Sequence, residues 1–174
     1  MNDSARPATV GSTYRERLAA RNISLPTPPS PAAQYIAANV CGDLVFIAGQ
    51  LPFVEGVLPS TGRLGAEVDV QLGRDLARTA ALNALAVAEQ ALGGLDEVRV
   101  AQMTVFVAST NDFFEQHLVA DGASRLLTDV LGDAGLHARA AVATPVLPFN
   151  SPVEVSLTLA VPNPSPPDTR RADQ

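Results

Sequence analysis

The sequence predicts an α+β sandwich: a mixed β-sheet carrying two helices on one face. Three observations predict it. Val153, Val155, Leu157, Leu159 and Val161 recur at every second position, the period of a half-buried strand. Residues 69–92 form a long alanine-rich stretch closed by Gly93-Gly94, the pattern of a helix with a glycine stop. Along the chain the elements run β-β-α-β-α-β-β, with no repeat at a solenoid period.

Taken in order, residues 11–23 read as a short helix, and 25–31 (LPTPPSP) as a stiff extended linker. Residues 1–31 are therefore expected to be an N-terminal extension, 32–161 the compact domain, and 162–174, rich in proline and polar residues, a disordered tail. The domain opens with a weakly alternating strand at 35–41 and a turn at Gly42-Asp43. A second strand at 44–51, LVFIAGQL, is apolar on both faces, which suits a central strand or a subunit interface. A loop with Gly and Pro punctuation covers 53–65. In the long helix, Leu72, Leu76, Ala80, Asn83 and Val87 share a face, and its alanines allow close approach to a sheet. A strand is expected within 96–108. Asp112, with Glu115 three residues on, resembles a capping box that starts a second helix. The buried stripe of that helix is read as Phe114, Leu118, Gly122, Leu126, Val130 and Leu131. Two closing strands, 138–143 and 153–161, flank a connection containing Pro145, Pro148 and Pro152, which cannot donate to a ladder.

Composition excludes several classes of chemistry. At 174 residues the chain is one domain on length grounds, and its N-terminus lacks the apolar stretch of a secretory signal. No apolar run reaches the roughly 18 residues of a spanning helix, so no membrane partner is expected. A single cysteine, Cys41, precludes an internal disulfide and suits a cytoplasmic setting. The net charge of −6 disfavours nucleic acid, whose binding rests on phosphate neutralisation. All twelve basic residues are arginine, which removes a Schiff-base lysine and the lysine of a phosphate-binding loop. With two histidines and no CxxC or HExxH, no metal is expected, and no other cofactor either.

Two charges stand out in the closing strands: Arg139 and Glu154. A charge inside an apolar strand is costly to bury unless paired or liganded. If the two strands form a hairpin they lie side by side, and the charges face one site. Arg139 offers a planar donor fork that matches a carboxylate; its alternative is an internal ion pair with Glu154, or an interface pair. Glu154 beside a dry cleft has a raised pKa and holds a water; its alternative is an exposed residue at a strand start.

ARAAVATPVLP at 138–148, Glu154 fifteen positions after Arg139, FIAGQLP at 46–52, Tyr35 and Asn-Asp-Phe at 111–113 together resemble the YjgF/Rid (reactive intermediate deaminase) family, also described as endoribonucleases or translation inhibitors. The resemblance spans roughly 32–161. It implies a chorismate-mutase-like fold that forms a homotrimer through the other sheet face, with clefts between subunits. It further implies hydrolysis of small 2-imino or enamine acids to 2-oxo acids and ammonia. In that reading Arg139 holds the substrate carboxylate, Glu154 places the attacking water, and Tyr35, His117 and Gly49 complete the binding site. The bland alternatives are a Tyr35 with its hydroxyl at the surface and a structural His117 at a helix edge. Departures are Ala48 where a small hydroxyl residue is usual, Ala141 in place of a cysteine, and Ala33-Gln34 in place of Gly-Pro. Two rival functions remain: a non-catalytic trimer that binds a small carboxylated metabolite, and an endoribonuclease.

Overall fold

The computed structural model of the chain describes residues 12–28 and 34–162. The tail expected over 162–174 lies almost wholly outside the described residues, and the linker expected over 25–31 partly so. The elements are α1 (Tyr14–Ala20), β1 (Ala38–Cys41), β2 (Leu44–Gln50), α2 (Val70–Leu92), β3 (Arg99–Ala108), α3 (Gln116–Leu131), β4 (Ala138–Thr144) and β5 (Val153–Ala160). One five-stranded mixed sheet has the order β1-β2-β5-β3-β4. The β3–β4 pair is parallel and the other three are antiparallel. This is the expected α+β sandwich.

The core forms where alternating apolar residues of the sheet meet α2 and α3. Val45 and Ile47 of β2, Met103, Val105 and Val107 of β3, and Val153, Val155, Leu157 and Leu159 of β5 are all buried in one cluster with the helices. Among the described residues, no helix covers the opposite sheet face. Ser156 and Thr158 lie on it, whereas Ala141 is level with the buried Val105 and packs against the core. Larger apolar groups occupy the open face instead, with Leu44, Phe46 and Val142 each about two-fifths exposed.

Helix α2 is capped by the side chain of Asp69 on the Leu72 N–H and ends at Gly93, whose φ of +76° only glycine adopts without strain. Its interior alanines are fully buried, and Asn83 donates to the carbonyls of Leu51 and Phe53, pinning the chain as it leaves β2. Leu72 is more exposed than its periodicity implied. Helix α3 starts at Gln116, four residues after Asp112, and its N-cap Glu115 makes no side-chain capping bond. The capping box expected at Asp112 is therefore absent. Residues 110–115 turn instead, which buries Phe113 and leaves Phe114 among the most exposed side chains.

The hydrophobic core is not confined to 32–161. Helix α1, closed by a Thr13/Glu16 capping box, puts Tyr14 and Leu18 into the main cluster. The Tyr14 hydroxyl donates to Glu89 at 2.6 Å and its N–H to Asp96 at 3.0 Å. Burial, then the Glu89 carboxylate, push the phenol up to about 12, so it remains a donor at neutral pH. Arg17 Nε donates to the carbonyl of Val130, near the end of α3.

Helices α2 and α3 cross closely because Gly122 has no side chain: a methyl there would overlap the Arg74 carbonyl. Gly122→Ala should lower the unfolding free energy in urea melts by about 1–3 kcal/mol, despite alanine's advantage of about 1 kcal/mol in a helix. The same change at Gly94, where an added Cβ meets nothing within 4 Å, should stay within about 0.5 kcal/mol of wild type.

Candidate functional site

The sheet order separates the two charges that the closing strands carry. β4 and β5 do not form a hairpin, because β3 pairs with both and lies between them. The connection at 145–152 steps over the end of β3, where Ala108 N–H donates to Pro152 O and Ser109 N–H to Thr144 O. Arg139 is level with Met103 and Leu157, whereas Glu154 is level with Phe106 and Val142. Met103 and Leu157 are buried under the helices, so Arg139 is on the helix side and Glu154 on the open side. Two strand spacings of about 4.8 Å and three residues of about 3.3 Å separate their backbone positions. Within one chain they share no site, and the alternative Arg139–Glu154 ion pair is excluded with it.

Arg139 is spent in part on its own chain. Its Nη1 donates to Asp121 Oδ1 at 2.8 Å and to Ser124 Oγ at 3.0 Å, and its Nη2 to the carbonyl of His117 at 3.2 Å. All three partners are on α3. The side chain is 26% exposed, so this pair is partly screened by water. His117 meets Arg139 through its backbone, while the residue itself is exposed. Ser124 Oγ is also 3.1 Å from His137 Nε2, and His137 Nδ1 is 2.6 Å from Gly135 O.

Glu154 sits differently. It is half-buried, and desolvation pushes its carboxyl above the ordinary glutamate range, with no hydrogen bond from the described residues to oppose this. Its carboxylate lies over Gly49, where a methyl would overlap Oε1 and sit 2.7 Å from Cδ. Gly49 is thus the residue that makes room for Glu154. The space comes from an irregularity in the β2–β5 ladder, which loses register between Ile47 and Gln50 and leaves Ala48-Gly49 unpaired with β5. Gln50 is buried and donates to the carbonyls of Ala48 and Gly49, holding the bulge. Tyr35 precedes β1 at the same end of the sheet and is 46% exposed, beside the point where Ala48 N–H meets Ala37 O. Phe149, exposed and at φ +57°, stands on the β4–β5 connection with its ring edge-on to Phe53 at 5.8 Å.

The structure therefore brings Glu154, Gly49 and the Tyr35 segment to one end of the open face, and Arg139 and the His117 carbonyl to the edge near α3. Sequence reasoning missed Asp121, Ser124 and the bulge-holding Gln50. His117, Asp121 and Ser124 stand at i, i+4 and i+7, a spacing that puts them on one helix face and could have linked them. Among the described residues no cluster of three His, Cys, Asp or Glu could hold a metal ion. No helix among them is long and apolar enough to cross a membrane.

A family model described as "YjgF/chorismate mutase-like, putative endoribonuclease" matches residues 15–160. The chain belongs to the YjgF family. The match begins inside α1, in keeping with the docking of that helix on the core. Protein TCP17 of Trypanosoma cruzi is 41% identical over 143 residues, which are 81% of this chain and 89% of that protein. The crystal structure of Atu1372 from Agrobacterium tumefaciens, of unknown function, has 40% identity and a TM-score of 0.80, covering 86% of this chain and 92% of that one. A Shewanella oneidensis protein whose description carries the same endoribonuclease label has 32% identity and a TM-score of 0.84, covering 86% of this chain and all of its own (100%).

A pH prediction follows for this YjgF-family chain. A carboxyl raised in the folded state favours folding fully below its unfolded pKa, and that contribution is lost as pH rises through the folded value. Glu154→Gln removes the loss, so its stability relative to wild type should rise between pH 4 and pH 7 in urea melts. Gly49→Ala should push the carboxylate into water, and a carboxyl-carbon NMR titration should show the Glu154 pKa falling toward the ordinary range.

Proposed function

We propose that this chain is one subunit of a homotrimer that hydrolyses small 2-imino or enamine acids to 2-oxo acids and ammonia. The single observation that carries the reading is the half-buried carboxylate of Glu154 over Gly49, with no partner among the described residues, on an open sheet face. Such a group resists ionisation, so it can accept a proton from water and return it within one turnover. The exposed Leu44, Phe46 and Val142 on the same face supply apolar surface for a neighbouring copy to cover. In the trimer, Arg139 of one copy faces the Glu154 end of the next, and the cleft lies between them.

The reaction needs no group outside the chain and water. The substrate carboxylate binds the Arg139 guanidinium. A water held by Glu154 adds its oxygen to C2 of the imine, and Glu154 takes the proton released. That proton passes to the nitrogen to give a carbinolamine; Glu154 then moves the proton of the new C2 hydroxyl to the nitrogen, the C–N bond breaks, and ammonia leaves as the 2-oxo acid forms. The imine carbon is electrophilic already, so placing the water supplies much of the acceleration. Tyr35 walls the mouth and offers one hydroxyl. His117 contributes through its carbonyl on Arg139, and Gly49 by leaving space for Glu154.

One observation favours a second reading, a non-catalytic binder of a small carboxylated metabolite. Ala48 brings no hydroxyl to the bulge beside Glu154, and no hydrogen bond fixes that carboxylate. The endoribonuclease reading is disfavoured by the charge of −6 and the absence of lysine.

With 2-iminopropionate generated in a coupled assay, wild type should accelerate release of ammonia. Arg139→Ala should lower kcat/KM by about 10–100-fold, as expected for losing charge-assisted bonds of about 1.5–3 kcal/mol, and Glu154→Gln should act mainly on kcat. Saturable pyruvate binding without any acceleration would instead support the binder.

A further inference from the structure

We infer that Asp121, Ser124 and His137 are positioning residues that hold the Arg139 guanidinium as a fixed plate, with one edge left free for a carboxylate. This rests on the proposal that Arg139 is the substrate's anchor. A guanidinium has five N–H donors. Nη1 gives one to Asp121 and one to Ser124, and Nη2 gives one to the His117 carbonyl. Among the described residues, Nε–H and the second N–H of Nη2 have no partner. We place the His117 carbonyl on the N–H of Nη2 that faces Nη1, which leaves the other N–H beside Nε–H on a single edge. That edge is the one that meets a carboxylate through two parallel bonds. Asp121 therefore does not compete with the substrate; it occupies the far end of the group and fixes its plane.

His137 sets the direction of the remaining bonds. Gly135 O can only accept, so His137 Nδ1 carries a hydrogen, and we take the tautomer in which Nε2 is the acceptor. Nε2 is 3.1 Å from Ser124 Oγ, so the Ser124 O–H points to it and a lone pair of Oγ is turned to Arg139 Nη1. The run Arg139 → Ser124 → His137 → Gly135 then has every donor facing an acceptor, and each bond polarises the next. Ser124 is on α3, Gly135 and His137 lie in the segment joining α3 to β4, and Arg139 is on β4, so one short stretch of chain carries this run.

The test uses the full-length chain labelled with 15N and pyruvate as the probe. In wild type the Arg139 Nε–H resonance should move on addition of pyruvate. In Asp121→Asn and Ser124→Ala the pyruvate affinity should fall roughly tenfold, the scale of one lost hydrogen bond, and the resonance should broaden. Ser124→Thr, which keeps the hydroxyl, should restore most of the affinity. In the imine assay the same variants should raise KM with little change in kcat. If Asp121→Asn binds pyruvate as tightly as wild type or more tightly, Asp121 is a competitor or a bystander and this inference alone is overturned. If pyruvate leaves the wild-type Arg139 resonance unmoved, both the inference and the reading of Arg139 as the anchor are overturned.

Discussion

Strand β3 lies between the two strands that carry the charges, and much of the rest follows from that placement. It pairs in parallel with β4 and antiparallel with β5, so residues 139 and 154 are two strands apart rather than neighbours. Their levels differ by three residues along β3, an odd number, and the pleat therefore sends them to opposite faces. Arg139 finds its partners on α3. Glu154 finds none, and sits over a glycine on the face without helices. One chain alone cannot bring the two charges to one small molecule, so a site that uses both has to be built from two copies.

Each charge is held by a device that costs stability locally. The β2–β5 bulge gives up ladder bonds at Ala48-Gly49 and spends the buried Gln50 amide to hold the loop shape. Glu154 loses hydration without gaining a partner, which is why its proton is held more tightly than usual. Arg139 keeps its charge at the sheet edge, partly wet, with α3 supplying three acceptors. The compensation comes from elsewhere: the alanine-rich α2 pressed on the sheet, the glycine crossing at α3, and α1 sealing the outer side through Tyr14 and Leu18.

The sequence made the architecture legible because its strongest signals are local. The alternation from Val153 to Val161 and the Gly93 stop each act within a few residues, and each appears in the structure. Strand order is not local. The connection between β4 and β5 joins edges on either side of β3, and its proline-rich length, well beyond the roughly 2–5 residues of a tight hairpin, was the sign that these strands need not pair. The extension was divided from the domain at residue 32 because the LPTPPSP stretch looks like a linker; that Tyr14 reaches Glu89 and Asp96 depends on contacts about 80 residues apart in the chain. Glu154 stands out as a charge in an apolar strand and Gly49 only through the resemblance, and neither hints in sequence that one makes room for the other. Asp121 and Ser124 look like solvent-facing helix residues until β4 is laid beside them.

In the proposed trimer a working site takes Arg139 from one copy and Glu154 from another. Subunit mixing distinguishes this arrangement: Arg139→Ala and Glu154→Gln chains, each strongly impaired alone, are unfolded, combined in equal amounts and refolded together. Imine hydrolysis should then recover, approaching about a quarter of the wild-type rate, because one seam in four joins two intact residues in a randomly mixed ring. Mixed oligomers that assemble fully and stay inactive would contradict it.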